Sequence, residues 1–286
     1  MEQLRPLLAL YAYNILGSYE DAKDIVQDVF LKFSQLSQEN IDDKKSYLIR
    51  MVVNLSIDRK RKLKKQTKAY PGPWLPEPIA TDDPHLALHR KQILSYSMLV
   101  LLEKLNSKQR AVFILREAFD YDHDDIARVL GITPENSRKV LSRAKSDLRA
   151  DANVAPDKAQ MEVLHRYLKV LEEGDLSKLE KLLNHDISVT SDGGGKVPAF
   201  RNIIAGVEPV TALLSGLYKK IYVNAETATG WINHQPAIFY FFEGALVTCQ
   251  IFSIDNEGLD RIFFVRNPDK LRSLQKIASG VVTFSS

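Results

Sequence analysis

The sequence predicts a multidomain chain, with two all-α domains followed by an α+β domain, and three observations carry that prediction. Apolar residues recur at three- and four-residue intervals through roughly the first 150 positions. A proline-rich stretch, YPGPWLPEPIATDDP at 70–84, interrupts them with five prolines and a glycine. Beyond residue 157 the pattern changes to helices followed by short strand-like runs separated by tight-turn signals. A chain of 286 residues has room for two or three domains, and 45% hydrophobic content is that of a globular protein with real cores.

Residues 4–36 read as two helices broken at Gly17 and Ser18. In the second, Ala22, Ile25, Val26, Val29, Phe30 and Phe33 form the packing stripe, and Glu20, Asp21, Asp24 and Asp28 lie off it. Two readings of those acids stand: a helix start favoured by its macrodipole, or a docking surface for a basic partner. A polar loop, Ser37–Lys45, leads to a helix from about Ser46 to Lys65 with Leu48, Met51, Val52 and Leu55 inward. Seven of the ten residues from Arg59 to Lys68 are basic, more than solubility requires, which points to phosphate contact. Tyr47 at the start of that helix is either core or a platform on which a splayed single-stranded base can stack.

The proline-rich stretch marks a domain boundary, and Trp74 and Leu75 suggest a linker anchored to something, because large apolar side chains in an extended segment gain by docking. From Leu86 to Leu105 the apolar pattern predicts a helix with Leu94, Met98, Leu101, Leu102 and Leu105 inward. Asn106 or Ser107 then caps a helix containing Val112, Phe113 and Leu115. Next comes a helix-turn-helix over Asp122–Arg149: Ile126, Ala127 and Leu130 share one face, Gly131 ends the first helix, and Thr133-Pro134 starts the second. In that second helix Val140, Leu141, Ala144 and Leu148 form the inward stripe. Asn136, Arg138, Lys139, Ser142, Arg143 and Lys145 point outward, a set able to meet base edges and phosphates in a major groove, interrupted by Glu135 and Asp147.

After residue 157, helices are predicted at Met161–Leu171, Leu176–Leu183 and about Pro209–Lys219. Strands are predicted at Ile187–Thr190, Thr229–Ile232, Ala237–Phe242, Ala245–Ile254 and Gly258–Arg266, with hairpin signals at Glu243-Gly244 and Asn256-Glu257-Gly258. The triple glycine in DGGGK, Asp192–Lys196, allows positive φ and close approach by another chain. It is not a phosphate-binding Walker loop, which would need glycine at Thr190 and Ser or Thr at Val197.

The net charge of +3 is too small to announce a nucleic-acid binder by itself, so that case rests on where charges cluster. The single cysteine, Cys249, excludes an internal disulfide and a cysteine-rich metal site, and no cofactor or metal is expected. The apolar run Leu7–Leu16 reads as a core helix and not a signal peptide, and no stretch reaches the roughly 18 apolar residues of a membrane span. A cytoplasmic protein is therefore expected.

Taken in order, DAKDIVQDVFLKF, SYLIRMVVNLSIDRKRK, the proline-rich linker and LNSKQRAVFILREAFDYDHDDIARVLGITPENSRKVLSRAKSDLR closely resemble bacterial extracytoplasmic-function sigma factors. That resemblance, over about the first 150 residues, implies an RNA polymerase specificity subunit whose partners are core RNA polymerase and promoter DNA. By the same similarity, Asp24, Asp28 and Phe33 would dock on the polymerase clamp helices. Asn54, Asp58, Arg59 and Arg61 would read and help open the −10 element, and the second helix of the helix-turn-helix would read the −35 element. The remainder resembles the SnoaL-like branch of the cone-shaped NTF2-like fold, carried at the C-terminus by a group of sigma factors with three signatures present here: WLPEP at Trp74–Pro78, DGGGK at Asp192–Lys196, and NPDKL at Asn267–Leu271. Trp74, Leu75, Pro76, Glu77, Pro78, Asp192, Gly193, Gly194, Gly195, Lys196, Asn267, Pro268 and Asp269 are accordingly the expected interdomain regulatory residues. In the family picture this domain replaces a separate anti-sigma partner, touching both DNA-binding domains and the linker.

The expected domains are 1–69 (sigma region 2), 70–85 (linker), 86–153 (sigma region 4) and 154–286 (regulatory). Two other functional classes fit parts of the chain. A cone fold can enclose an enzyme pocket, for which only His185, Asp186, Asp192 and His234 are candidates and no spacing joins them; it can also hold a small-molecule ligand as a sensor. A helix-turn-helix regulator of the repressor or response-regulator type would leave the acidic and basic helices upstream unexplained.

Overall fold

The computed structural model describes residues 2–36, 41–66, 70–81, 83–148 and 158–281. Ser37–Asn40 of the polar loop, Thr67 and Lys68 of the basic run, Asp82 of the linker, Arg149 and the 153/154 boundary lie outside the described residues. The chain divides into two compact units: Met1–Lys68 with Pro84–Leu94 and Met98–Asn153, and Ala69–Asp83 with Ser95–Ser97 and Val154–Ser286.

In the helical unit, α1 (Arg5–Leu16) stops at Gly17, whose φ of 75° is left-handed, and α2 (Tyr19–Ser34) starts at Ser18, whose side chain accepts the Asp21 amide proton. α3 runs from Lys44 to Gln66. Residues Leu8, Leu10, Ile15, Leu16, Val29, Leu48 and Val52 are fully buried where α1, α2 and α3 meet. Each such side chain contributes about 1.5–3 kcal/mol through the apolar surface it removes from water.

The segment expected to be one helix from Leu86 to Leu105 is not. It is a 3-10 stretch, Pro84–Gln92, then a break, then α4 (Tyr96–Leu101) and a 3-10 turn, Leu102–Lys104. The cause is non-local: the Tyr96 hydroxyl donates to the Pro76 carbonyl (2.7 Å) and the Ser97 amide to Gln235 Oε1 (2.7 Å), so this segment serves partners far away in sequence. α5 (Ser107–Glu117) begins with a full capping box between Asn106 and Gln109. α6 (His123–Leu130) is capped by Asp122 and ended by Gly131 at φ 62°, and α7 (Pro134–Leu148) starts beside Thr133, which accepts the Asn136 amide proton. The helix-turn-helix is therefore present with the caps its sequence calls for.

The C-terminal unit is an α+β domain. It contains α8 (Lys158–Glu173), α9 (Leu176–Glu180), β1 (Leu183–Asp192), β2 (Ile204–Ala205) and α10 (Val207–Leu217), which continues into one π turn at Tyr218–Tyr222. Then follow β3 (Glu226–Ile232), β4 (Gln235–Phe242), β5 (Ala245–Asp255), β6 (Gly258–Val265) and α11 (Pro268–Val281). One six-stranded sheet has the order β2-β1-β6-β5-β4-β3. The expected meander β3 to β6 is antiparallel throughout, while β1 joins β6 in parallel, a pairing no local pattern announces. Two-residue turns at Asn233-His234 and Glu243-Gly244 hold both residues at positive φ, the condition of a tight hairpin. Leu164, Leu171, Val210 and Leu214 of the helices bury against Ile187, Ile238, Phe252, Ile262 and Phe264 of the sheet.

Candidate promoter-reading surface and linker clamp

On the helix-turn-helix, Asn136, Arg138, Lys139, Ser142, Arg143 and Lys145 are all exposed, while Leu141, Ala144 and Leu148 are buried and Val140 is half-buried. Lys145 pairs with Glu117 at 2.8 Å. The outward face of α7 is thus a polar and cationic strip on a well-capped helix, the form of element that enters a major groove.

On α3, Asp58, Arg59 and Arg61 are exposed and Asn54 is half-buried. Arg59 donates twice to Asp21 Oδ1 (2.7 and 3.2 Å), and Arg61 pairs with Asp58 at 3.2 Å. A groove of about 490 Å³ runs along Lys32, Tyr47, Arg50, Met51, Asn54 and Leu55, so Tyr47 stands at its edge, half-buried. Lys60, inside the basic run, is turned inward. Its ammonium meets the Leu16 carbonyl (2.8 Å) and both oxygens of Glu103 (2.9 and 2.8 Å), and Glu103 also pairs with the fully buried Arg110. Burial and then the neighbouring Arg110 push Lys60 down to about 8, partly offset by Glu103. Burial alone would raise the Glu103 carboxyl, but Arg110 and Lys60 outweigh it and hold it below the ordinary glutamate range. Sequence reasoning missed this cluster, because a lysine among seven basic residues carries no mark of facing inward.

On α2, Asp24 and Asp28 are exposed. Phe33, expected beside them as a docking contact, is fully buried with its ring 5.9 Å from that of Tyr47. It continues the stripe of Ala22, Ile25, Val26 and Val29, so it supports the helix from behind and has no free surface to offer.

The WLPEP, DGGGK and NPDKL signatures converge within the C-terminal unit. Asp192, at the end of β1, is buried and accepts from the Tyr70 hydroxyl (2.5 Å), the Leu75 amide (2.9 Å), the Gly194 amide (2.9 Å) and the Lys270 ammonium (2.6 Å). Lys270 also donates to the Leu75 carbonyl and lies 4.1 Å from the centre of the Trp74 ring, a cation–π distance. Burial and the bond to Asp192 push the Tyr70 phenol up, so it stays a neutral donor. Asn267 and Pro268 are the cap and first residue of α11: Asn267 Oδ1 accepts the Asp269 amide proton (3.1 Å), and that cap leads directly to Lys270. The asparagine-proline-acid pattern could have announced this helix from sequence. Lys196 closes the group by pairing with Asp269.

The glycines explain themselves by space. A Cβ at Gly194 (φ 65°) would lie 2.4 Å from the Asn267 side chain, and one at Gly195 (φ 71°) would lie 2.8 Å from Pro71. The close approach read from the sequence is made by the linker itself. Leu75 is buried, and Trp74 half-buried. Further along, Ile79 exchanges hydrogen bonds with Asn233 (3.0 and 3.1 Å), the Thr81 amide donates to the Trp231 carbonyl (3.0 Å), and the His234 amide donates to the Thr81 hydroxyl (2.7 Å). Residues 79–81 thereby cover the edge strand β3 as an added strand would.

The four catalytic candidates do not assemble. His185 and Asp186 pair with each other at the surface (3.2 Å), Asp192 is occupied by the linker, and His234 sits at the β3–β4 turn. Within the core of the C-terminal unit lies a polar chain without carboxylates: Tyr240 donates to Gln250 (2.9 Å), Gln250 donates to the Tyr167 hydroxyl (2.9 Å), and Tyr222 meets Thr248 (3.1 Å). Burial raises all three phenols. Among the described residues, no group of three or more His, Cys, Asp or Glu is arranged to hold a metal ion, and no helix is long and apolar enough to cross a membrane.

The family described as sigma-70 region 2 matches residues 1–66, and that described as sigma-70 region 4 matches residues 96–148. The ECF RNA polymerase sigma factor SigJ of Mycobacterium tuberculosis (strain ATCC 25618 / H37Rv) is 31% identical over 226 residues, covering 77% of this chain and 72% of its own. The probable ECF RNA polymerase sigma factor SigI of Mycobacterium tuberculosis (strain CDC 1551 / Oshkosh) is 24% identical over 287 residues, covering 96% of this chain and 95% of its own. The crystal structure of SigJ superposes with a TM-score of 0.78 at 26% identity, over 95% of this chain and 97% of the other. With two sigma regions in order, a fused α+β unit and a relative alike along most of both chains, this chain belongs to the extracytoplasmic-function RNA polymerase sigma factors.

Proposed function

We propose that this sigma factor, which directs promoter-specific transcription initiation, is regulated by its C-terminal unit through the linker between regions 2 and 4. The observation that carries this reading is the Asp192 clamp: a buried carboxylate and the Lys270 ammonium bind the linker backbone on both sides of Leu75. While the clamp is closed, the linker's conformation is fixed by the C-terminal unit. Because both partners are in one chain, modest contacts suffice to keep it closed, and binding of core polymerase shifts the population toward release. The C-terminal unit acts as a non-catalytic holder, a role supported by its phenol and amide interior. The protein works in the cytoplasm.

In the same reading Asp24 and Asp28 dock on the polymerase clamp helices, Asn54, Asp58, Arg59 and Arg61 engage the −10 element, and the outward residues of α7 engage the −35 element. Arg143→Ala weakens holoenzyme binding to a duplex bearing the cognate −35 element by about 1–3 kcal/mol, the worth of one good bidentate base contact, and leaves binding to a scrambled −35 duplex little changed. Fluorescence anisotropy on the two duplexes measures it.

Hydrogen exchange tests the clamp. The amides of Leu75, Ile79 and Thr81 are expected to be protected in the free full-length chain and to lose protection when core polymerase binds. Free-chain exchange at the rate of an unstructured peptide, or protection unchanged in the holoenzyme, would rule the clamp out as a switch.

A further inference from the structure

The sheet of the C-terminal unit has two edges, β2 and β3, and they are finished differently. β2 is two residues long, too short to template another strand. β3 spans seven residues, Glu226–Ile232, and pairs with β4 in unbroken register along its whole length. It carries neither lysine nor proline nor a bulge, the devices that ordinarily blunt an edge.

The linker covers one end of that edge and reveals which way its backbone points. The Thr81 amide donates to the Trp231 carbonyl (3.0 Å) and the Asn233 amide to the Ile79 carbonyl (3.0 Å), on either side of the antiparallel Ala80–Ile232 bridge. Backbone groups alternate sides along an antiparallel strand, so the odd-numbered residues face outward, and Thr227 and Thr229 present their N–H and C=O groups on the same side. The linker then turns away, the Asp83 amide closing a turn onto the Ala80 carbonyl (3.3 Å). Among the described residues, no hydrogen bond from the linker or any other segment reaches Thr227 or Thr229 on that side.

We propose that Glu226–Gly230 is occupied by the same segment of a second copy, so that the free protein pairs β3 with β3 in antiparallel fashion across a two-fold axis at Ala228. The segment is its own complement in this register. Thr227 lies opposite Thr229 of the partner subunit, and Thr229 opposite Thr227 of the partner subunit, so the outward groups of both strands satisfy one another and threonine faces threonine, a favourable cross-strand pair. Glu226 lies opposite Gly230 of the partner subunit, so no like charges are opposed. The pairing closes at two copies, because each contributes the same edge to a self-complementary contact. It uses residues the linker leaves uncovered and does not require the Asp192 clamp to open. A contact this short makes a weak, reversible dimer.

Sedimentation velocity on the full-length protein, from low micromolar to sub-millimolar concentration, is expected to show a reversible monomer–dimer equilibrium. Thr229→Pro removes an N–H that faces outward and not toward β4, so the sheet keeps its ladder while the dimer loses a hydrogen bond from each copy. Its dissociation constant is expected to rise about tenfold, and Thr229→Val, which keeps the N–H, is expected to match the wild type. A wild-type protein that stays monomeric throughout overturns the proposal, as does a folded Thr229→Pro protein that dimerises with unchanged affinity. Should Thr229→Pro lose its cooperative melt, hydrogen exchange on the wild type decides. Thr227 and Thr229 amides that exchange freely in dilute solution and become protected on concentration support the pairing, and a dimer in which both still exchange freely overturns it.

Discussion

Asp192→Ala lowers the stability of the C-terminal unit by about 3–5 kcal/mol, the cost of removing one partner from a buried ion pair and leaving the other uncompensated. The substitution strands the Lys270 ammonium, which is about one-tenth exposed, and removes the acceptor for Tyr70, Leu75 and Gly194 together. Both tryptophans of the chain, Trp74 and Trp231, belong to the C-terminal unit, so tryptophan fluorescence during urea unfolding follows that unit alone. The midpoint is expected to fall, and the double variant Asp192→Ala/Lys270→Met to recover much of the loss, because neither charge then remains buried. A double variant as unstable as the sum of its single changes would show that Lys270 and Asp192 do not act as a pair.

Gly194→Ala is the second large effect. A left-handed φ costs an L-residue about 1–2 kcal/mol, and the new methyl would lie 2.4 Å from the Asn267 amide, which must move away from Tyr70 and disturb the cap of α11. Gly244→Ala serves as its control, for Gly244 has φ 72° and nothing within 4 Å of an added Cβ. It should cost only the conformational part. A Gly194→Ala penalty no greater than that of Gly244→Ala, read from the same urea curves, would mean the DGGGK loop tolerates the methyl and does not need its closeness to NPDKL.

Much of the architecture could be read from short-range signals. Gly17, the Asn106–Gln109 box, Asp122, Gly131 and Thr133-Pro134 each satisfy backbone groups within a few residues, and the helices they bound came out where those residues lie. The Glu243-Gly244 hairpin is the same kind of signal. What escaped reading depends on distant partners. The helix expected across 86–105 breaks where Tyr96 and Ser97 bond to Pro76 and Gln235. The parallel pairing of β1 with β6 joins strands far apart in the chain, and β2 is too short to show a period. In the candidate sites, residue type and spacing indicated which faces were polar but not which polar group was already engaged. Phe33 sits on the apolar stripe and stays buried there, and Lys60 hides among exposed cations. The three signatures were found as separate strings; that one carboxylate, Asp192, ties them together required the fold.

The most direct test of the account is run-off transcription by core bacterial RNA polymerase from a cognate promoter, comparing the full-length protein with Trp74→Ala. The half-buried Trp74 covers the Lys270 ammonium, so its removal loosens the linker while leaving the Asp192–Lys270 pair in place. The account predicts initiation with both proteins and a transcript yield raised about tenfold by the variant, the response to roughly 1.4 kcal/mol taken from the closed state. Equal yields from the two proteins, with tryptophan-monitored stability unchanged, would contradict it.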